Sequence, residues 1–118
     1  MRFAVNLTKE AVEDLQRLED FLIEVASKHA DWELPARAMD AIRRELGVLE
    51  SNPFTCRIAL DDRLERELVI PFGASGYVAL FRIVSDQEVV VSAIATSAKM
   101  TSTSASGTFW VRGADHAR

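Results

Sequence analysis

The chain has little of the chemistry that metal, disulfide or covalent sites require. Its 118 residues include one cysteine, Cys56, and two histidines, His29 and His116. A single cysteine can form neither an internal disulfide nor a cysteine-based metal site, and the two histidines lack the spacing of a metal-binding pair. The sequence also has no nucleophile elbow and no phosphate-binding glycine loop. We therefore expect no metal and no cofactor.

Long hydrophobic runs are missing as well. No uncharged apolar stretch approaches the roughly 20 residues of a membrane helix, and the first residues lack the layout of a signal peptide. We therefore expect a cytoplasmic protein with no membrane partner. A hydrophobic content of 48%, with only 5 glycines and 3 prolines, is enough for the core of one domain and excludes disorder of the whole chain.

Charge is modest in amount and uneven along the chain. The 14 basic residues against 18 acidic ones give a net charge of −4, which argues against broad nucleic-acid binding. Beyond residue 94 the charged residues are Lys99, Arg112, Arg118 and Asp115. The C-terminal part is therefore basic, whereas residues 1–94 are acidic.

The first half of the sequence predicts a strand followed by two helices. Residues 2–7 alternate polar and apolar side chains, which indicates a half-buried strand. Thr8 is a good N-cap for a helix of about twenty residues whose apolar stripe runs from Ala11 through Leu15, Leu18 and Leu22. Pro35 suits the first turn of a second helix, with a stripe of Ala38, Met39, Ile42, Leu46 and Leu49. The two stripes predict an antiparallel helical hairpin.

The second half alternates with the period of strands. Four segments have this pattern, and they are 56–60, 66–72, 77–84 and 88–94. We predict an α+β fold that consists of an N-terminal strand, an antiparallel two-helix hairpin and a 3–4-stranded antiparallel sheet. Residues 95–118 show neither period and are rich in small polar residues, so we predict a disordered tail after a domain at 1–94.

Two groups of charged residues are candidate sites. The acidic face of the first helix, which includes Glu13 and Asp14, is typical of a solvated helix surface. The basic group is formed by Arg57, Arg63, Arg66 and Arg82, all in the predicted sheet. Their guanidinium groups would suit RNA or an acidic partner segment if they converge on one face. The alternative is that they pair with Asp61, Asp62, Glu65 and Glu67 beside them.

The order of these elements resembles that of the ParE/RelE superfamily of toxins from bacterial type II toxin–antitoxin pairs. The similarity covers about residues 1–94. It rests on four segments: Leu7–Leu15 at the strand-to-helix junction, Leu49–Pro53 after the second helix, Arg66–Gly73 as a central strand and Gly76–Phe81 after the turn.

The resemblance implies a small plasmid-stabilising type of toxin, neutralised by a co-expressed antitoxin. The antitoxin's C-terminal segment would add to a sheet edge and lie in the apolar groove of the hairpin. The resemblance implies that the antitoxin contacts Leu15, Leu18, Leu22, Ile42 and Leu46. It implies that the target contacts Arg57, Arg63, Arg66, Arg82 and Tyr77.

The superfamily has two kinds of target. ParE-like members are not enzymes and poison DNA gyrase by binding, whereas RelE-like members cut messenger RNA on the ribosome with basic side chains and a C-terminal tyrosine or similar group. The only tyrosine, Tyr77, lies in the body of the predicted sheet, and the chain is acidic. Both facts favour the gyrase-binding branch. The alternatives are a RelE-like endoribonuclease that uses the four arginines, and a decayed toxin that only binds antitoxin.

The sequence departs from the family after its last strand. Members usually continue Ile-Arg-His-Gln-Arg, whereas this chain continues Ile94-Ala95-Thr96-Ser97-Ala98-Lys99-Met100. If those residues after Ile94 are encoded GCC ACC AGC GCG AAG ATG, one added base in front restores Arg-His-Gln-Arg-Glu-Asp. The hypothesis is that the tail from Ala95 is frameshift-derived, and the gene sequence around codons 94–102 tests it.

Overall fold

A two-helix hairpin packs against a five-stranded mixed sheet in the computed structural model, which describes residues 2–74 and 76–97. The helices are α1 (Lys9–His29) and α2 (Leu34–Leu46), and two short 3-10 helices follow at Gly47–Glu50 and Pro53–Thr55. The strands are β1 (Ala4–Leu7), β2 (Arg57–Ala59), β3 (Asp62–Ile70), β4 (Tyr77–Ser85) and β5 (Glu88–Thr96). The predicted α+β class and the helical hairpin are confirmed.

The sheet order is β1-β5-β4-β3-β2. Strands β2 to β5 pair antiparallel, as the sequence predicts. The difference lies at β1, which joins the same sheet as a fifth strand and runs parallel to β5, with Ala4 opposite Glu88 and Leu7 opposite Val91. Alternating polar and apolar residues indicate a strand but do not indicate which strand it pairs with. The pairing of β1 with β5 could therefore not be predicted from this pattern.

The helix boundaries follow local signals. The Thr8 hydroxyl accepts a hydrogen bond from the Ala11 backbone N–H at 3.1 Å, which satisfies one of the unpaired donors at the start of α1. Helix α1 ends where Ala30 adopts a left-handed conformation with φ 54°. Pro35 lies in the first turn of α2, where its missing N–H costs nothing.

The turn between β3 and β4 requires glycine at position 76. Gly76 has φ +83°, and a Cβ added there would lie 2.4 Å from the Ile70 carbonyl oxygen. Backbone atoms this close cannot move aside easily, so any side chain would push the two strands apart. The Gly76 carbonyl in turn accepts a hydrogen bond from the Ser97 N–H at 3.0 Å, which holds the end of β5 beside the start of β4.

The main core lies between the hairpin and the sheet. Alternate residues of β4, including Ala79, Phe81 and Ile83, pack against Leu22 of α1 and Ile42 of α2. Phe81 has no exposed surface at all. Full burial of a side chain of this size contributes about 3 kcal/mol, so β4 anchors both helices.

Helix α1 also protects part of the β5 edge. Strand β1 covers β5 only from Glu88 to Val91, and beyond that point the edge is met by α1. The Asp14 Oδ2 atom accepts a hydrogen bond from the Ile94 N–H at 2.9 Å, and the Thr8 N–H donates to the Val91 carbonyl at 2.9 Å. Asp14 therefore links α1 to β5. The expectation that Asp14 belongs to a solvated helix surface was wrong.

Several strands are longer than the pattern indicated. Strand β3 begins at Asp62, and β5 continues through Ala95 and Thr96, which lie opposite Val78 and Tyr77. The predicted tail therefore overlaps the last strand by two residues, and residues 98–118 lie outside the described part of the chain. In that described part, neither helix is long and apolar enough to cross a membrane.

Replacing Asp14 with alanine tests its hydrogen bond to β5. The change leaves the N–H of the buried residue Ile94 without this acceptor, which costs about 1–3 kcal/mol of unfolding free energy. The matched control is Glu13→Ala, which removes an exposed carboxylate from the same turn. Urea unfolding of both variants measures the difference, and equal stability would contradict this role of Asp14.

Candidate functional site

An open groove runs along the outer side of the helical hairpin, away from the sheet. Its volume is about 410 Å³. The groove is lined from α1 by Val12, Leu15, Gln16 and Glu19, and from α2 by Ala36, Met39, Asp40 and Arg43. Both sets follow the three- and four-residue spacing that places side chains on one helix face. The hairpin therefore presents an elongated, partly apolar surface to a partner.

The exposed residues of α1 extend this apolar surface. Val12 is 53% exposed on the groove wall, and Ile23 is also exposed and lies on the same face, eleven residues further along. Eleven residues of helix span about 16 Å, or three turns. Exposed apolar side chains in such a row fit the apolar face of an amphipathic helix.

The five predicted antitoxin contacts occupy two different environments. Leu15 is half-buried and lines the groove. Leu22 and Ile42 are buried in the main core, and Leu18 and Leu46 pack against that core. These four residues hold the hairpin on the sheet, so of the five only Leu15 lines the groove.

Sequence reasoning missed the side chains that complete the groove, above all Val12, Met39 and Arg43. On α1 the stripe of Ala11, Leu15, Leu18 and Leu22 packs against the core, and its regular apolar spacing is the stronger signal. The signal for the outer stripe was the spacing of Val12, Gln16 and Glu19, which share one helix face despite their mixed polarity.

Two of the four arginines are paired with acidic residues of the sheet. Arg57 Nε lies 2.6 Å from Glu67 Oε1, and Arg82 Nη1 lies 2.9 Å from Asp62 and 3.0 Å from Glu65. The two carboxylates raise the pKa of the Arg82 guanidinium above its usual value. The pKa of Asp62 is lowered, first by the hydrogen bond from the Leu64 N–H and then by Arg82.

Arg66 is buried and binds backbone oxygens. Its side chain is 8% exposed, its Nε donates to the Arg63 carbonyl at 2.7 Å, and its Nη1 donates to the carbonyls of Phe54 and Cys56. The guanidinium also lies over the Phe54 ring, 5.4 Å from its centre. The Phe54 and Cys56 carbonyls lie in the segment that leads into β2, and Arg63 lies where the register between β2 and β3 shifts. Arg66 thus stabilises the end of the sheet.

The four arginines do not form one cluster. Arg66 lies opposite Phe81 and so on the helix side of the sheet, whereas Arg57 and Arg82 lie opposite Glu67 and Glu65 on the other side. Arg63 is exposed, and within the described residues its side chain has no ion pair.

Tyr77 is also inside the protein. It belongs to the main core and stacks on Phe72, with ring centres 6.0 Å apart and an interplanar angle of 25°. Burial raises the pKa of its phenol above the usual value. A phenol in this position is poorly placed to meet a macromolecular target.

The described residues contain no group of three or more histidine, cysteine, aspartate or glutamate side chains that could hold a metal ion. Cys56 is half-buried, and burial raises the pKa of its thiol, which keeps it protonated at neutral pH. His29 is exposed at the end of α1, and His116 lies outside the described residues. The groove of the hairpin is a candidate site in the described residues, and its mixed apolar and charged lining suits contact with another protein.

Comparison with known proteins gave a family-model match and matches among solved structures. The family model of the ParE toxin of type II toxin–antitoxin systems, parDE, matches residues 5–100. A solved structure described as the chromosomal ParDE toxin–antitoxin system from P. aeruginosa superposes with a TM-score of 0.63. It is 17% identical and covers 80% of this chain and 96% of that one. No curated protein sequence matches the chain significantly.

Replacing Arg66 tests whether this side chain supports the fold. Arg66→Ala leaves three carbonyls without their donor in a largely buried place, and we expect a loss of about 3 kcal/mol in unfolding free energy. The exposed Arg63→Ala is the control, with an expected change within about 0.5 kcal/mol. Chemical denaturation compares the two, and an Arg66→Ala protein as stable as the parent would contradict a structural role.

Proposed function

Because the chain belongs to the ParE toxin family of type II toxin–antitoxin systems, we propose that it is a toxin that binds DNA gyrase and is neutralised by a cognate antitoxin. The observation that carries the proposal is the family match over residues 5–100, which includes the helical hairpin and every strand except the first residue of β1. The match in fold to the P. aeruginosa structure supports the same domain architecture.

The state of the basic residues supports action by binding rather than by RNA cleavage. A ribonuclease needs cationic groups free to stabilise the charge that develops on the phosphate. Arg66 is engaged by backbone carbonyls, Arg82 is paired with two carboxylates, and Tyr77 is buried in the core. Target contact is more compatible with the exposed Arg63 and the half-exposed Arg57.

The groove of the hairpin is the proposed antitoxin site. An amphipathic helix would place its apolar face over Val12, Leu15 and Met39, and its polar face near Glu19 and Arg43. Arg43 already pairs with Asp40 at 2.7 Å, so a partner gains most from the apolar residues. The P. aeruginosa structure is described as a toxin–antitoxin system, which supports an antitoxin partner here.

Growth of a bacterial culture that produces residues 1–118 without antitoxin tests the proposed function. We expect growth arrest, together with inhibition of purified gyrase and gyrase-linked double-strand DNA breaks. A parallel variant carries Arg-His-Gln-Arg-Glu-Asp-Asp after Ile94. Codon-sited cuts in messenger RNA would favour the ribonuclease instead. Harmless growth of the parent with arrest by the variant would favour a decayed toxin that only binds antitoxin.

A single substitution tests the antitoxin groove. Val12→Glu places a charge on an exposed wall position and should weaken binding of the antitoxin encoded beside the toxin gene by at least about tenfold, or 1.4 kcal/mol. Phe21→Glu is the matched control, since Phe21 is 57% exposed on α1 but does not line the groove. Calorimetry gives both affinities. Equal affinities for the two variants would place the antitoxin elsewhere.

A further inference from the structure

The groove of the hairpin carries an unbalanced negative charge. Three of the described residues that line it are charged, and they are Glu19 of α1 with Asp40 and Arg43 of α2. Arg43 Nη1 lies 2.7 Å from Asp40 Oδ1. Because one positive charge balances only one of the two carboxylates, a negative charge is left over in the groove whichever carboxylate Arg43 pairs with.

Glu19 is the carboxylate that is left over. Within residues 2–74 and 76–97 its side chain forms no ion pair and no hydrogen bond, whereas Asp40 is paired with Arg43. Glu19 is also half-buried, and Asp40 is exposed. The unpaired carboxylate is therefore the one with less access to water.

The helix that carries Glu19 offers it no cation on the same face. Side chains three and four positions apart are neighbours on a helix surface. Arg17 lies only two positions from Glu19, on a different face, and it pairs with Asp14. The positions that do neighbour Glu19 hold Leu15, Gln16, Leu22 and Ile23. A further cation in the groove is therefore left for a partner to supply.

Covering the groove changes the surroundings of Glu19. A helix that packs its apolar face on Val12, Leu15 and Met39 also takes water away from Glu19, which lines the same groove. A carboxylate that loses water without gaining a counter-charge or hydrogen bonds is strongly unfavourable. A purely apolar face therefore binds at a cost that a face with one lysine or arginine offsets.

We propose that the groove selects a partner segment that carries a lysine or arginine among its apolar residues, and that Glu19 recognises this cation. The inference rests on the proposed function, because it takes that segment to belong to the antitoxin. Arginine suits the position best, since its planar guanidinium can bind both oxygens of one carboxylate. An antitoxin with an apolar or acidic residue at this point would leave Glu19 unpaired or repelled, so Glu19 discriminates between antitoxins.

Two charge-removing variants test the proposal. Glu19→Gln keeps the shape of the side chain and should weaken binding of the full-length antitoxin encoded beside the toxin gene at least about tenfold, because the antitoxin's cation then lies in the groove without a counter-charge. The matched control is Glu13→Gln, which removes the same charge from an exposed position of α1 outside the groove. The affinity of this control should stay within about twofold of the parent's.

Calorimetry of the parent and both variants separates two kinds of failure. If the parent binds and the two variants have equal affinities, this inference is overturned, while the proposed antitoxin site remains. If the parent chain does not bind the antitoxin at all, the proposed neutralisation is overturned and this inference with it.

A charge reversal gives the sign of the partner's charge. Glu19→Lys should weaken binding more than Glu19→Gln does, because the two cations then repel each other. Binding that becomes stronger than the parent's would indicate an acidic residue of the antitoxin at this point and would overturn the proposal.

A double-mutant cycle identifies the cation and does not depend on the stability of the Glu19 variant. Each lysine and arginine of the antitoxin's C-terminal segment is replaced in turn by glutamine. One replacement should weaken binding to the parent at least about tenfold and have little further effect on binding to Glu19→Gln protein. The absence of any replacement coupled to Glu19 would overturn the proposal.

Discussion

The burial of the inner side of the α1–α2 hairpin against β4 is the contact on which the rest of the structure depends. Phe81 and its neighbours on β4 pack against Leu22 and Ile42, so both helices are held by their inner stripes. That requirement decides which helical residues are available to a partner. What remains for recognition at the groove is the exposed Val12, together with the exposed parts of Leu15 and Met39, which also pack against the core.

The difference between local signals and contacts distant in the chain explains which features the sequence predicted. Helix α1 was predictable because its N-cap, Thr8, and its apolar stripe are local signals that tertiary structure did not override. The antitoxin contacts were harder to choose, because Leu18 and Leu22 satisfy the same spacing rule whether they face the sheet or a partner. The pairing of β1 with β5 joins residues far apart in the chain, and no local pattern reports such a contact.

The partners of charged side chains were also hard to predict from the sequence. The sequence left two outcomes open for the four arginines, one basic face or pairing with nearby carboxylates, and in the structure Arg57, Arg66 and Arg82 each have separate partners. Arg66 donates hydrogen bonds to backbone carbonyls just before β2, and Arg82 pairs with two carboxylates of β3. Asp14 reads as a surface residue but hydrogen-bonds a strand edge. In each case the deciding partner is a backbone group or a residue on a neighbouring strand, which composition does not reveal.

The position of β1 beside β5 also has a consequence for biosynthesis. Among the described strands, β1 is synthesised first and β5 last, so Ala4 can pair only after Glu88 has been made. Contacts of such long sequence separation form late in folding. The β1 edge of the sheet therefore cannot form until β5 has been synthesised, although both helices that line the groove precede β2 to β5 in the chain.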